Sequence, residues 1–428
     1  MKKLFSILII FVLSMGVSHA QDSTQKQVQN LQDEISNLKK PSKTHFMIRG
    51  FAQFGFNASD NDVNFNMTSF NPVLLWRQGD RFLFETELEM EYMTNQLSLN
   101  LGYASASYMI TKGLVVKFGK ILVPFGTFGE KLHPSWVNKC VTMPLGIGHD
   151  GAVPMSDIGF EIKGGLQFGS SKISYAAYAV NGPTIKDGTG EPTEAGMLAF
   201  DNAIDNNKNK ALGARIAFLP FSNSSLEIGL SAYYGMPGSA TAPFAADTNK
   251  TTAVRNLTYN NVTALLTAID LSYVKLISEI GGIIDIKGQY TMSDVSKASY
   301  INPTDSISIR SPYTFTNSSV AYYGQIAYRP ALAENQILKN LELVGRYSVY
   351  NTPSGSNWYS NKSQITIGLN YWLTWRTVIK ADYEMTTVDN GMSGSSGSSG
   401  MTGMAGMSGM GNTAVTSNVF MLHLAMGF

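Results

Sequence analysis

From residue 44 onward the apolar side chains of this chain recur at every second position with polar or charged residues between them, and this period of two most restricts its fold. The clearest stretch runs from 82 to 92. Phe82, Phe84, Leu88, Met90 and Tyr92 share one face, while Glu85, Glu87, Glu89 and Glu91 share the other. Sixteen such segments are predicted, at 44–57, 63–76, 81–93, 95–109, 113–123, 157–168, 172–180, 211–219, 225–236, 261–275, 283–292, 317–329, 340–350, 362–373, 376–386 and 415–428. The connections sort by parity. One set holds the short turns 77–80, 111–112, 169–171, 221–224 and 374–375, with a helical turn expected in 330–339. The other holds the long stretches 124–156, 181–210, 236–260, 293–316 and 387–414. A soluble sandwich has no reason to sort its loops this way, whereas a membrane barrel does. The expected fold is all-β: a transmembrane antiparallel β-barrel of about 16 strands, preceded by a short α-helical coiled coil.

Composition removes the other classes. Charged residues are 15% and hydrophobic residues 44%, and past residue 20 no run of about 18 apolar residues occurs, so no helix-spanning membrane protein is expected. A single Cys excludes a disulfide framework, and a net charge of +1 offers no field for nucleic acid.

Residues 1–20 read as a signal peptide, with Lys2 and Lys3 before an apolar core and Ser18 and Ala20 at the small-residue positions of a cleavage site. Residues 21–43 read as a coiled-coil segment and linker. Val28, Leu31, Ile35 and Leu38 form a 3-4-3 stripe, a candidate oligomerisation seam that Pro41 ends. Trp76, Trp372 and Trp375 fall near short turns, where an interfacial aromatic girdle is expected. Phe420, Leu422, Leu424, Met426 and Phe428 share a face of the last predicted strand, a signal suited to a barrel-assembly machinery.

The chain resembles the phosphate-selective porin O and P family of outer-membrane porins over 44–428. The carrying segments are VKFGKILVPFG (116–126), AVNG with DNNKNKALGARIAFLPF (within 179–221), LVGRYSVY (343–350) and TIGLNYW (366–372), with the terminal Phe. The resemblance implies sixteen strands, homotrimers in outer-membrane lipid, passive diffusion of small hydrophilic solutes and no cofactor. It also implies a third loop, here 124–156, folded into the lumen as a constriction, with the coiled coil in the periplasm of a Gram-negative bacterium.

Candidate constriction charges are therefore Lys120, Glu130, Lys131, His133, Lys139, His149 and Asp150, in or beside that loop. Alternation places eight cations on the lumen wall: Arg49, Lys117, Lys163, Arg215, Lys287, Arg329, Arg346 and Lys380. Eleven acids face them: Glu85, Glu87, Glu89, Glu91, Glu161, Glu227, Asp270, Asp285, Glu342, Asp382 and Glu384. An anion pore needs rings of cations, so this balance predicts a weak preference for cations, led by four glutamates spaced about 7 Å apart along one strand.

Two other classes stay open on the residues alone. A non-conducting barrel could bind at its surface: the tract 391–412 carries Met401, Met404, Met407 and Met410, thioethers that suit Cu(I), or it is only a flexible low-complexity loop. A barrel enzyme would use His423, the best-placed strand histidine, but no marked serine accompanies it. No GxxxxGK[ST], HExxH or GxSxG occurs, and GIGHDG at 146–151 follows a proline with no helical pattern after it, which makes it a loop. His133, Cys140 and His149 share one loop, yet a lone thiol there reads better as incidental than as a metal ligand. No metal site is assigned.

Overall fold

The computed structural model describes residues 44–60, 62–93, 96–148, 152–186, 188, 191–200, 205, 207–238, 259, 261–301, 312–389 and 414–428. The leader, the seam residues Val28, Leu31, Ile35 and Leu38, the loop residues His149 and Asp150, and Met401, Met404, Met407 and Met410 lie outside the described residues. The chain divides into two units, one of residues 1–45 and 77–80 and one of 46–76 and 81–428. Within the first, Arg77 donates to the Gly79 carbonyl at 2.9 Å and pairs with Asp80 at 3.1 Å.

The second unit is a closed antiparallel barrel of sixteen strands in sequence order. They are β1 (Thr44–Ser59), β2 (Val63–Gln78), β3 (Phe82–Met93), β4 (Gln96–Thr111), β5 (Leu114–Leu122), β6 (Ser156–Phe168), β7 (Ser171–Val180) and β8 (Ala211–Leu219). There follow β9 (Leu226–Gly235), β10 (Ala264–Ile277), β11 (Gly282–Val295), β12 (Asn317–Arg329), β13 (Leu341–Asn351), β14 (Asn361–Thr374), β15 (Thr377–Asp389) and β16 (Val415–Gly427). β1 closes on β16 with Phe51 opposite Gly427 and Ser59 opposite Val419. Each predicted segment is a strand, and the helical turn expected before β13 is present as Gln336–Asn340, capped by the Asn335 side chain on the Ile337 and Leu338 amides. Tight reverse turns need left-handed backbone, which Gly79 (φ 62°) and Gly169 (φ 59°) supply.

The faces are inverted relative to a water-soluble protein. Ile216, Leu343 and Ile367 are each 57% exposed, while their inward neighbours Arg215, Glu342 and Thr366 are 5%, 3% and 0% exposed. An apolar outside over so many strands is stable only against hydrocarbon, and closure leaves no strand edge to satisfy there. Among the described residues no helix is long and apolar enough to cross a membrane.

Two sequence expectations fail locally. Alternation through Leu97, Leu99 and Leu101 predicts Tyr103 on the same face, but Gly102 is an extra residue: Glu87 pairs with Tyr103 and Leu88 with Leu101. This bulge turns Tyr103 inward, where it is buried. Trp372 was expected in an outer girdle. It stands on the inward parity of β14, and its indole N–H donates to Glu342 at 3.0 Å, whereas Trp76 and Trp375 are exposed.

At the long-loop end, aromatic rings stack the connections on one another over the later strands. Tyr300 lies 5.0 Å from Phe315 and 5.9 Å from Tyr259, and Trp358 donates to the Ala195 carbonyl.

Candidate pore constriction

The described residues of the segment between β5 and β6, 123–148 and 152–155, pack inside the barrel. Its apolar side chains Phe125, Phe128, Leu132, Ile147 and Val153 are buried in one cluster with the inward-facing Tyr178, Tyr233, Leu266 and Tyr323. Burying Phe125 and Phe128 alone contributes about 3–6 kcal/mol. A π-helical turn, Phe128–Leu132, presents Glu130 to β6 and Lys131 to β9.

Polar anchors follow the segment from Gly126 to Thr142. The Gly126 amide donates to Ser231 at 3.0 Å and the Thr127 amide to Gln289 at 3.2 Å, while the Thr127 hydroxyl donates to Asp270. Glu130 accepts from Lys163 at 2.6 Å, and Lys131 pairs with Glu227 at 2.6 Å. Lys139 meets Glu342 at 2.8 Å with Asp285 behind it at 3.9 Å. The Lys380 ammonium donates to the carbonyls of Ser135, Asn138 and Cys140. Arg346 donates to the Thr142 carbonyl and hydroxyl, and Asp382 and Glu384 accept from the Val141 amide and the Thr142 hydroxyl. Six of the wall strands, β6, β9, β10, β11, β13 and β15, carry at least one of these contacts.

Several wall charges answer one another. Lys117 pairs with Glu85 at 3.0 Å, Arg215 with Glu227 at 2.9 Å and Asp270 at 2.6 Å, Lys287 with Asp285, and Arg346 with Glu384 at 3.5 Å. Lys163 also lies 3.3 Å from Glu161. Arg329 stands over the Trp372 ring at 5.8 Å. Lys120 is tied to the rim, where β4 runs on past its last pairing with β5, and donates to the Leu101 carbonyl at 2.7 Å. His423 sits between Gln53 (2.6 Å) and Asn57 (2.7 Å) on the inward face.

Burial alone would push the Glu130 carboxyl up. The Lys163 ammonium, helped by Lys117 and Lys131, outweighs burial and holds it below the usual value. Burial pushes the Cys140 thiol up to about 12. It stays protonated, packed against Ala327 and Val344 as a small apolar filler.

The two larger cavities lie mainly against β1 to β6, and a third of about 300 Å³ opens at the short-turn end against β5 to β8. A cavity of about 380 Å³ at the short-turn end is lined by Arg49, Glu85, Lys117, Lys163 and Arg376, with Trp136 over it. A cavity of about 640 Å³ at the long-loop end is lined by Glu89, Asn100, Met143, Met155 and Asp157. Glu87, Tyr103, Leu122 and His133 line both, so the two spaces adjoin at these four residues. His133 Nε2 stands 3.5 Å from Glu87 across that junction.

Of the candidate charges, the structure brings Glu87 and His133 to the junction and Arg49, Glu85, Lys117, Glu130 and Lys163 to the short-turn cavity. Glu89 and Lys120 line the long-loop cavity. Lys131, Lys139, Arg215, Lys287, Arg346 and Lys380 serve the anchored side instead, and Glu91 lies further along β3. Tyr103, Leu122, Trp136 and Arg376 were not foreseen. Gly102 in a run of alternating leucines was the available signal for the first; nothing local marks the others.

No protein-family model and no curated protein matches the chain. Among solved structures it is similar to the outer membrane channel DcaP of Acinetobacter baumannii, at 13% identity over 91% of this chain and 99% of that one, with a TM-score of 0.53. It is also similar to an anion-selective porin from Comamonas acidovorans, at 13% identity over 90% and 100% of the two chains, TM-score 0.53. Salmonella typhi OmpF, solved with daunomycin, matches at 10% identity over 90% and 98%, TM-score 0.52. At these identities the likeness is one of fold, and the fold is the porin barrel.

Proposed function

We propose that the chain is an outer-membrane porin, a water-filled channel for passive diffusion of small hydrophilic or charged solutes. The observation that carries the reading is the pair of adjoining cavities that share Glu87, Tyr103, Leu122 and His133, on one side of a loop packed tightly against the other. A solute passing there trades part of its hydration for wall carboxylates, ammonium groups and hydroxyls, so entry needs no energy input. The path is eccentric: it follows β1 to β6, and the anchored loop fills the space against the later strands.

The loop cations Lys131 and Lys139 neutralise wall acids, which trims the acid excess read from the strands. The remaining preference is a weak one for cations, centred on Glu87. The Comamonas neighbour is anion-selective; Glu87, the one carboxylate shared by the two cavities, argues for the opposite sign. The protein works as a homotrimer in outer-membrane lipid of a Gram-negative bacterium, with 21–43 in the periplasm and the Val28, Leu31, Ile35 and Leu38 seam reinforcing the assembly. Phe428 and its strand are read by the barrel-assembly machinery.

Planar-bilayer recording in a KCl gradient tests this reading. Stable openings in steps of three with a potential of cation-selective sign support it. A folded protein that never conducts overturns it.

A further inference from the structure

We infer that the long-loop cavity is a binding subsite for an organic cation with an apolar body, with Glu87 as its acceptor. The inference rests on the channel reading above for its place in transport, though not for the binding itself.

Glu87 is the key observation. Its side chain is 3% exposed and lines both cavities at their junction. A carboxylate so withdrawn from water requires close, charged donors to offset its desolvation. Among the described residues its contacts are instead long: Asn71 Nδ2 at 3.4 Å on one oxygen and His133 Nε2 at 3.5 Å on the other. An ammonium or guanidinium coming in at about 2.8 Å makes a stronger bond than either.

The cavity around it fits such a guest. Its volume of about 640 Å³ lies in the range of small-molecule sites. Leu101, Leu122, Met143, Met155, Ile158 and the Tyr103 ring supply an apolar lining, and the two methionines adapt to irregular shapes. The charged lining is Glu87, Glu89 and Asp157 against Lys120, whose ammonium is bonded to the Leu101 carbonyl. An anionic guest meets three carboxylates there. An uncharged one leaves Glu87 as it was.

Calorimetric titration of the full chain in non-ionic detergent tests this with three probes of one shape: phenethylammonium, phenethyl alcohol and 3-phenylpropanoate. Saturable binding is expected for phenethylammonium, at least about tenfold tighter than for the alcohol and absent for the carboxylate. Glu87→Gln is expected to remove that advantage. Equal affinity for the three probes overturns the inference without need of any variant, and so does unchanged ammonium affinity in a folded Glu87→Gln barrel. Conductance in KCl without added probe reports on the channel reading separately: binding without conduction keeps the subsite and rejects the pore, and conduction without binding does the reverse.

Discussion

Replacing Lys380 with Met should loosen the second half of the inward segment without releasing it. The Lys380 side chain is 1% exposed, and its ammonium holds the carbonyls of Ser135, Asn138 and Cys140. Methionine matches the length and leaves those three carbonyls without this donor. At about 1 kcal/mol per lost bond, opening of 135–143 becomes easier by about 3 kcal/mol. Every 1.4 kcal/mol is about tenfold in population, so the open fraction rises about a hundredfold. The segment is loosened rather than released, because Lys139 still pairs with Glu342 at 2.8 Å and Arg346 still reaches the Thr142 carbonyl at 2.8 Å. Amide hydrogen exchange reads this directly. The Val137 and Asn138 amides bond to the Pro134 carbonyl and the Val141 amide to Asp382, and all three should exchange about a hundredfold faster in the variant. The β11 and β12 amides should not change. A folded Lys380→Met barrel whose 135–143 amides exchange within about threefold of the parent would refute the reasoning, because the carbonyls would then have found other donors.

Three further outcomes follow from the same geometry. Because the Glu130 carboxyl is held below the usual 4.5, its tie to Lys163 contributes fully above that value and is lost only as pH falls through the lowered one. Amides of 128–132 should therefore keep their protection at pH 5 and lose it on deeper acidification, and Glu130→Gln should abolish that acid step. Gly126 has φ 65° and faces the Gln289 amide that accepts from Thr127; Gly126→Ala should cost about 1–2 kcal/mol and lower the thermal midpoint, and an unchanged midpoint would mean that the loop entry is not rigid. Phe428 stacks on Phe70 at 5.5 Å while its backbone exchanges two 3.0 Å bonds with Gly50. Phe428→Ala keeps the bonds and loses the stack, so it should slow folding into lipid vesicles while the folded barrel retains its seam; parent-like folding rates would show that the ring adds nothing.

Much of the barrel was legible because a strand writes its environment into alternate positions. The run from Phe82 to Tyr92 could bury its phenylalanines only by presenting its glutamates to the opposite face, and strand after strand repeated that choice. The reading failed where one residue broke the count: Gly102 adds a residue to β4 and rotates Tyr103 from the leucine face to the lumen. Trp372 was placed by its nearness to a turn when its parity with Asn370 already pointed inward, toward Glu342. For the candidate site, wall charges could be named from parity, but their weight could not. Eleven acids against eight cations was a count of strands alone, and Lys131 and Lys139 shift it from a loop whose partners lie about 100 and 200 residues away in sequence.

By itself, then, the sequence determined the number of strands, their order, the inverted faces and the sorting of short turns from long loops. Each of these is a local consequence of side-chain period and turn chemistry, readable within a dozen residues. The tertiary structure alone decided which strands the 123–155 segment leans on, which carboxylates it neutralises and where the remaining space runs. Those outcomes depend on contacts such as Thr127 with Asp270, or Lys380 with Asn138, that form only once the barrel has closed. The position of Glu87 is of the second kind. Four glutamates stand at equal spacing along β3, and only the packing of His133 and Tyr103 places that one where the two cavities adjoin.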